Sequence, residues 1–214
     1  MSNKTFTLNF KQINQDEIID LLKSIYEHSP WVPIRLFSTK INTIIDKEYL
    51  YKKMKAIVDN ASKKEKLKLI RSHPELGNKL QKIDELTKYS KEEQKSAGLN
   101  QCTAEEFKIL TDLNQQYRTQ FEFPFIIAVK GLFKSDIISE MEKRVNNTKE
   151  EEFETAMKQI HKIASLRIND LIYSWANLFF KISIEIFTPG GAGLGDYSKR
   201  NEDLIKIDKE NELL

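Results

Sequence analysis

With 214 residues, 40% of them hydrophobic and 10% aromatic, the chain can bury a full core in one domain, and no shift in composition marks a boundary for two. Its 34 lysines and arginines stand against 32 acids, a net charge of +2 mixed along the whole length, which excludes the basic stripe of a nucleic-acid binder. The single cysteine, Cys102, excludes an internal disulfide, and without Cys/His pairs at ligand spacing no metal site is expected.

The first seventeen residues lack the apolar run of a signal peptide and the arginine-rich character of a transit peptide, so the cytoplasm is the expected compartment. From Asn14 or Gln15 a first helix is predicted through Tyr26, with Ile18, Leu21, Leu22 and Ile25 on one face. Ser29 before Pro30 reads as a cap followed by proline at the first helical position, which puts His28 and Trp31 at a helix junction. Residues 47–61 place Leu50, Met54, Ile57 and Val58 on one side of an amphipathic helix. Ser62 with Glu65 forms a capping box for a short helix carrying Leu67, Leu69 and Ile70, and this helix ends at His73-Pro74.

Pro74 pushes His73 out of the helical region toward extended backbone. Two readings of His73 stand at this point: a surface histidine in a connector, or a group placed for chemistry on a loop held by a helical frame. Ser90 with Glu93 repeats the capping pattern and so competes with any catalytic use of the same two residues. Thr103 with Glu106 repeats it again, opening a helix toward Phe121. The following run FEFPFIIAVKGLF, broken by Pro124 and closed by Gly131, has no period that separates a buried strand from a buried helix, and its helical neighbours favour a helical or irregular segment.

Thr148 and Glu151 cap a long helix whose inward stripe holds Phe153, Ala156, Met157, Ile160, Ile163, Ala164 and Leu171. Arg167 falls on that stripe. A buried arginine needs an internal acid or an anionic ligand, and both readings stay open. His161, at the edge of the stripe, reads as a satisfied structural histidine. Lys181 and Glu185 interrupt the apolar stretch 171–187, so it is not expected to cross a membrane. The glycine-rich tail after Phe187 lacks the ending of a phosphate loop and reads as a flexible turn or arm.

Five blocks in order carry a resemblance to a known family: YEHSPWV at 26–32, SHPELGNK at 72–79, LTKYSKEEQKSAGL at 86–99, LNQQYRTQFEFPFIIAVKG at 113–131 and IHKIASLRINDL at 160–171. Together they resemble the 2-oxo-4-hydroxy-4-carboxy-5-ureidoimidazoline (OHCU) decarboxylases of urate breakdown. The resemblance implies an all-α, single-domain multi-helix bundle over residues 1–171, with residues 172–214 an extension of unknown role, partly helical and then flexible. It further implies a homodimer that needs neither metal nor organic cofactor and yields (S)-allantoin.

By the resemblance, the family's catalytic histidine corresponds to His73 and its acidic partner to Glu93. Pro74, Ser90, Lys91, Glu92, Gln94 and the segment Phe125, Ile126, Ile127, Ala128, Val129 correspond to substrate-contacting positions, and Arg167 to the late-helix arginine. A positioned histidine can move the proton that replaces the departing carboxylate, with Glu93 setting its tautomer or sharing the transfer. Gln94 and the backbone of 125–129 would hold the ureido and ring amides, and Phe125, Ile126 and Ile127 would exclude water. The chain departs from the family pattern at Glu75, Leu76, Gly77 and Asn78 after the His-Pro, at Glu122 where glycine is common, and at Ala128 where cysteine often stands. The alternatives are an inactive helical binding module of the same fold and a metal-free hydrolase acting on a related ureide.

Overall fold

Ile18 and Leu22, one helical turn apart, seat α1 (Gln15–Leu22) on the core. The helix stops four residues before its expected end. Ile25 and Tyr26 are buried beyond it in a turn, and His28 follows with a φ of +45°. α2 (Trp31–Ser38) then starts without a side-chain cap. Ser29 is not the cap its sequence suggests, because its hydroxyl donates to the Glu27 carbonyl at 3.0 Å instead. α2 packs on α1 and on α3 (Lys47–Asp59), whose Leu50, Met54 and Val58 face inward at a spacing of four, while Ile57 stays half-buried.

The computed structural model describes residues 8–9, 15–39, 43–44, 47–77 and 87–187, with side chains described in 15–39, 47–77 and 87–171. Apart from a two-residue antiparallel ladder, β1 (Leu8–Asn9) with β2 (Thr43–Ile44), the described elements are helical. The tail after Phe187, expected to be a flexible arm, lies outside the described residues. The chain divides into two compact units, Met1–Leu171 and Ile172–Leu214.

The Ser62–Glu65 box opens α4 (Lys63–Arg71) as the sequence predicts, with both reciprocal hydrogen bonds made. α5 (Lys88–Ser96) departs from expectation. Its cap is Thr87, whose Oγ1 accepts the Ser90 N–H at 3.2 Å, so Ser90 and Glu93 lie inside the helix rather than at its start. Local pattern favours Ser90, because only it has a glutamate three residues on, yet Thr87 is itself a good N-cap residue and starts the helix one turn earlier.

The Thr103–Glu106 box opens α6 (Ala104–Phe121), and the Thr148–Glu151 box opens α8 (Lys149–Phe187). Between them, residues 123–129 run as an irregular buried segment, the second of the two forms expected. α7 (Lys134–Arg144) has no sequence cap to announce it: Phe133 precedes it with no side-chain oxygen, and only Asp136 reaches back to the Phe133 N–H at 2.8 Å. Glu122, at a position where the family that the sequence resembles commonly has glycine, ends α6 with φ +64°. That left-handed turn is the physical reason glycine suits the site.

Gly77 marks a second left-handed turn, φ +68°, where a Cβ would sit 2.9 Å from Leu110 Cδ1. Its N–H donates to Gln94 Oε1 at 3.1 Å, tying the His73 loop to α5. Gly77→Ala is expected to destabilise by about 1–2 kcal/mol, the cost of a left-handed L-residue. That lowers the melting temperature by about 2–8 °C in a chain of this size, read by calorimetry. An unchanged melting temperature would mean that the turn relaxes without cost.

Candidate active site

His73 sits just past the C-terminal cap of α4, where Ser72 N–H donates back to Leu69 O at 3.2 Å and Ser72 Oγ donates to the same oxygen at 2.7 Å. The imidazole is buried, with 7% of its surface exposed, so the surface-connector reading does not hold. Its Nδ1 lies 2.9 Å from Leu69 O. A carbonyl can only accept, so Nδ1 carries the proton and Nε2 is the basic nitrogen. Burial pushes the His73 pKa down to about 4, against the opposing pull of the Glu27 carboxylate and with the help of the Arg167 charge. At neutral pH the ring is neutral.

On α5, Ser90, Glu93 and Gln94 share the inward face because residues three and four apart stack along a helix. Lys91 and Glu92 turn outward and are exposed, so the contiguous run expected from the resemblance divides into an inner and an outer set. Glu93 neither caps the helix nor sets the His73 tautomer. It grips Arg167 as a fork: Nε donates to Oε1 at 2.8 Å and Nη2 to Oε2 at 2.7 Å.

Arg167 has 2% of its surface exposed and spends all five N–H groups on the protein. Besides Glu93, Nη1 donates to Glu27 Oε2 at 2.6 Å and to Ser24 O at 2.9 Å, and Nη2 donates to Ser90 Oγ at 3.2 Å. Of the two readings of this arginine, the internal ion pair is the one the structure displays, and it has two acids rather than one. Burial alone would lower the guanidinium pKa, but the hydrogen bonds and charges of Glu93 and Glu27 outweigh that and raise it. Ser90 is fully used as well: its hydroxyl donates to Glu27 Oε2 at 2.9 Å and accepts from Arg167 and from Thr87 Oγ1.

The opposite wall is the irregular segment. Arg144, buried in a bidentate pair with Glu152, donates from Nη1 to Ile126 O at 2.9 Å and lies 4.4 Å over the Phe125 ring. Gln159 Oε1 on α8 accepts the Ala128 N–H at 3.0 Å. These two clamps satisfy the Ile126 carbonyl and the Ala128 N–H of a buried stretch that belongs to no helix or strand. Neither Arg144 nor Gln159 was singled out from the sequence.

The cleft between the walls is lined by His73, Pro74 and Leu76 on one side and by Ser90, Glu93 and Gln94 on another. Phe125, Ile126, Ile127, Val129, Ile163 and Arg167 complete it. Of the expected contact residues, Lys91, Glu92 and Ala128 lie outside this lining. Glu27 is the residue that sequence reasoning passed over, although it stands inside YEHSPWV and an inward arginine demands an acid somewhere. His161 is structural, as expected: Nε2 donates to Asp59 Oδ1 at 3.0 Å and Nδ1 accepts from Tyr26 O–H at 2.9 Å.

A neutral histidine whose Nε2 has no hydrogen-bond partner among the described residues, set in a cleft beside a pinned carboxylate, defines an all-helical acid–base enzyme for a small polar molecule. The comparisons narrow the class. The OHCU decarboxylase family model matches residues 11–169, and the chain belongs to that family. It is 38% identical over 164 residues to a 2-oxo-4-hydroxy-4-carboxy-5-ureidoimidazoline decarboxylase of Haloferax volcanii, covering 75% of this chain and 94% of that one. It is also 38% identical over 173 residues to a uric acid degradation bifunctional protein of Bacillus sp., covering 79% of this chain but 33% of the longer relative. Among solved structures, an (S)-allantoin synthase superposes with a TM-score of 0.58 at 32% identity, covering 77% of this chain and 54% of that one. No described helix is long and apolar enough to cross a membrane.

Proposed function

We propose that this protein decarboxylates 2-oxo-4-hydroxy-4-carboxy-5-ureidoimidazoline to (S)-allantoin in urate catabolism. The observation that carries the reading is His73: its tautomer is fixed by Leu69 O and its basic nitrogen is left for a ligand in the cleft that Glu93 also lines. In the reaction the bond from C4 to the carboxylate breaks and its electron pair forms C4=C5, while the C5=N pair moves to nitrogen, which takes one proton from solvent. The C4 enol then gives up its hydroxyl proton as C5 gains one. His73 Nε2 accepts the first of these protons and returns it to one face of C5, so no external oxidant or cofactor is needed.

Glu93, held by Arg167, accepts N–H groups of the ring or ureido arm, and Gln94 with the backbone of 125–129 fixes the remaining amides. The buried polar cluster sets two carboxylates, Glu27 and Glu93, against one guanidinium, a net charge of −1 beside a neutral His73. A bound carboxylate is therefore worse off there than in water, and departure as carbon dioxide relieves it. Phe125, Ile126 and Ile127 keep water from the opposite face. Residues 1–171 form the catalytic domain and 172–214 an extension, and the protein works as a cytoplasmic homodimer.

The test generates the substrate in place from urate with the two upstream activities and follows circular dichroism. Rapid growth of the (S)-allantoin signal on adding the protein is the expected result. If the slow racemic course is unchanged, the decarboxylase reading fails.

A further inference from the structure

We infer that Glu27 is the positioning residue of this site, a buried carboxylate that orients Arg167 and Ser90 and holds the proton on His73 during turnover. The inference rests on the decarboxylase reading and adds to it a residue outside the histidine, Glu93 and Arg167 assigned there. Glu27 lies in the turn between α1 and α2, and none of its surface is exposed. A carboxylate is not taken wholly out of water without compensation, and here the compensation is specific. Its Oε2 accepts from Arg167 Nη1 and Ser90 Oγ, while its backbone carbonyl lies 2.8 Å from the hydroxyl of Ser72, the residue before His73, and shares that hydroxyl's single proton with Leu69 O. One residue thus ties together the C-terminal cap of α4, the first turn of α5 and the middle of α8, all of which border the cleft.

Its second oxygen, Oε1, is buried with no hydrogen-bond partner among the described residues. An orphaned carboxylate oxygen is costly in a fold that has no use for it. A use exists in the proton shuttle: each turnover makes His73 an imidazolium in a buried cleft, and the Glu27 carboxylate, seated on the Arg167 and Ser90 that line the same cleft and with its carbonyl beside the Ser72 hydroxyl, places a negative charge behind that ring. The charged or titratable groups acting on His73 are Glu27, which favours protonation, and Arg167 and His28, which oppose it. His28 Nε2 stands 3.8 Å from Glu27 Oε1, and Glu93 faces the same cleft from α5. Burial would raise the Glu27 pKa, yet the Arg167 and His73 charges and the hydrogen bonds to its carboxyl keep it low, so the charge is present whenever the enzyme works.

Glu27→Gln keeps the shape and an acceptor for Ser90 but removes the charge. The expected result is a fall in kcat of at least tenfold together with a changed pH profile. The acid limb of kcat/KM, set by His73 in the free enzyme, moves to lower pH, so at pH 4.5 the variant keeps a larger fraction of its own neutral-pH rate than the wild type does. A merely structural role would lower the rate without moving the limb. An unmoved limb in a folded variant overturns the inference while the wild type still makes (S)-allantoin, whereas an inactive wild type overturns the decarboxylase reading itself. If Glu27→Gln does not fold, Glu27→Asp decides by the same limb, since it keeps the charge but withdraws it from His73.

Discussion

His73→Ala is expected to keep its fold at neutral pH and to lose about 10²–10⁴-fold in kcat, the range for removing a positioned acid–base group. The truncation leaves no stranded partner, because Leu69 O still accepts from Ser72 N–H and Ser72 Oγ. It enlarges a cleft that already exists and does not hollow out a packed layer. The stability effect has a pH signature. The folded pKa of about 4 lies below the ordinary 6.5, so between those values the unfolded chain binds a proton that the folded chain refuses. Stability therefore declines as pH falls through that window, by roughly 2–3 kcal/mol from this group at pH 4.5. His73→Ala lacks that contribution, and urea unfolding at pH 7 and pH 4.5 should show a smaller acid loss than in the wild type. An active His73→Ala enzyme would remove His73 from the mechanism.

Much of the frame was legible because caps and periodicity are local. The Ser62, Thr103 and Thr148 boxes sit beside the residues they satisfy, and the inward faces of α3 and α8 repeat every three to four residues. The site was legible only where a residue carries its oddity on its face: His73 before proline, Arg167 on an apolar stripe. What those residues pair with was not legible. Glu27 lies 140 positions from Arg167, and nothing local tells its carboxylate from an exposed one. The Ser90 to Gln94 run shows the opposite failure: a resemblance copies a contiguous segment, whereas a helix presents only residues 90, 93 and 94 to one side, so Lys91 and Glu92 face out. α7 was missed because its cap comes from a backbone N–H and Asp136, with phenylalanine where a hydroxyl would announce a helix.

Arg167→Ala is expected to be the most destabilising single change at the site, about 3–5 kcal/mol, because it leaves Glu27 buried without its cation. In a chain of this length that corresponds to roughly 6–20 °C in melting temperature. Five donated hydrogen bonds go with the guanidinium, so Arg167→Lys, with a point charge and three donors, recovers only part of the loss. The double variant Arg167→Leu/Glu27→Leu separates the roles. Apolar groups of similar volume replace a buried pair at little cost or with a gain, so the double variant should be more stable than Arg167→Ala. It should nonetheless remain inactive, since Glu93 is no longer pinned at the cleft and His73 has lost the neighbouring charge. Calorimetry and turnover on the same preparations read both effects. An Arg167→Ala protein with unchanged melting temperature and a raised KM would instead make Arg167 a substrate contact, with its five hydrogen bonds to the protein exchanged for the ligand on binding.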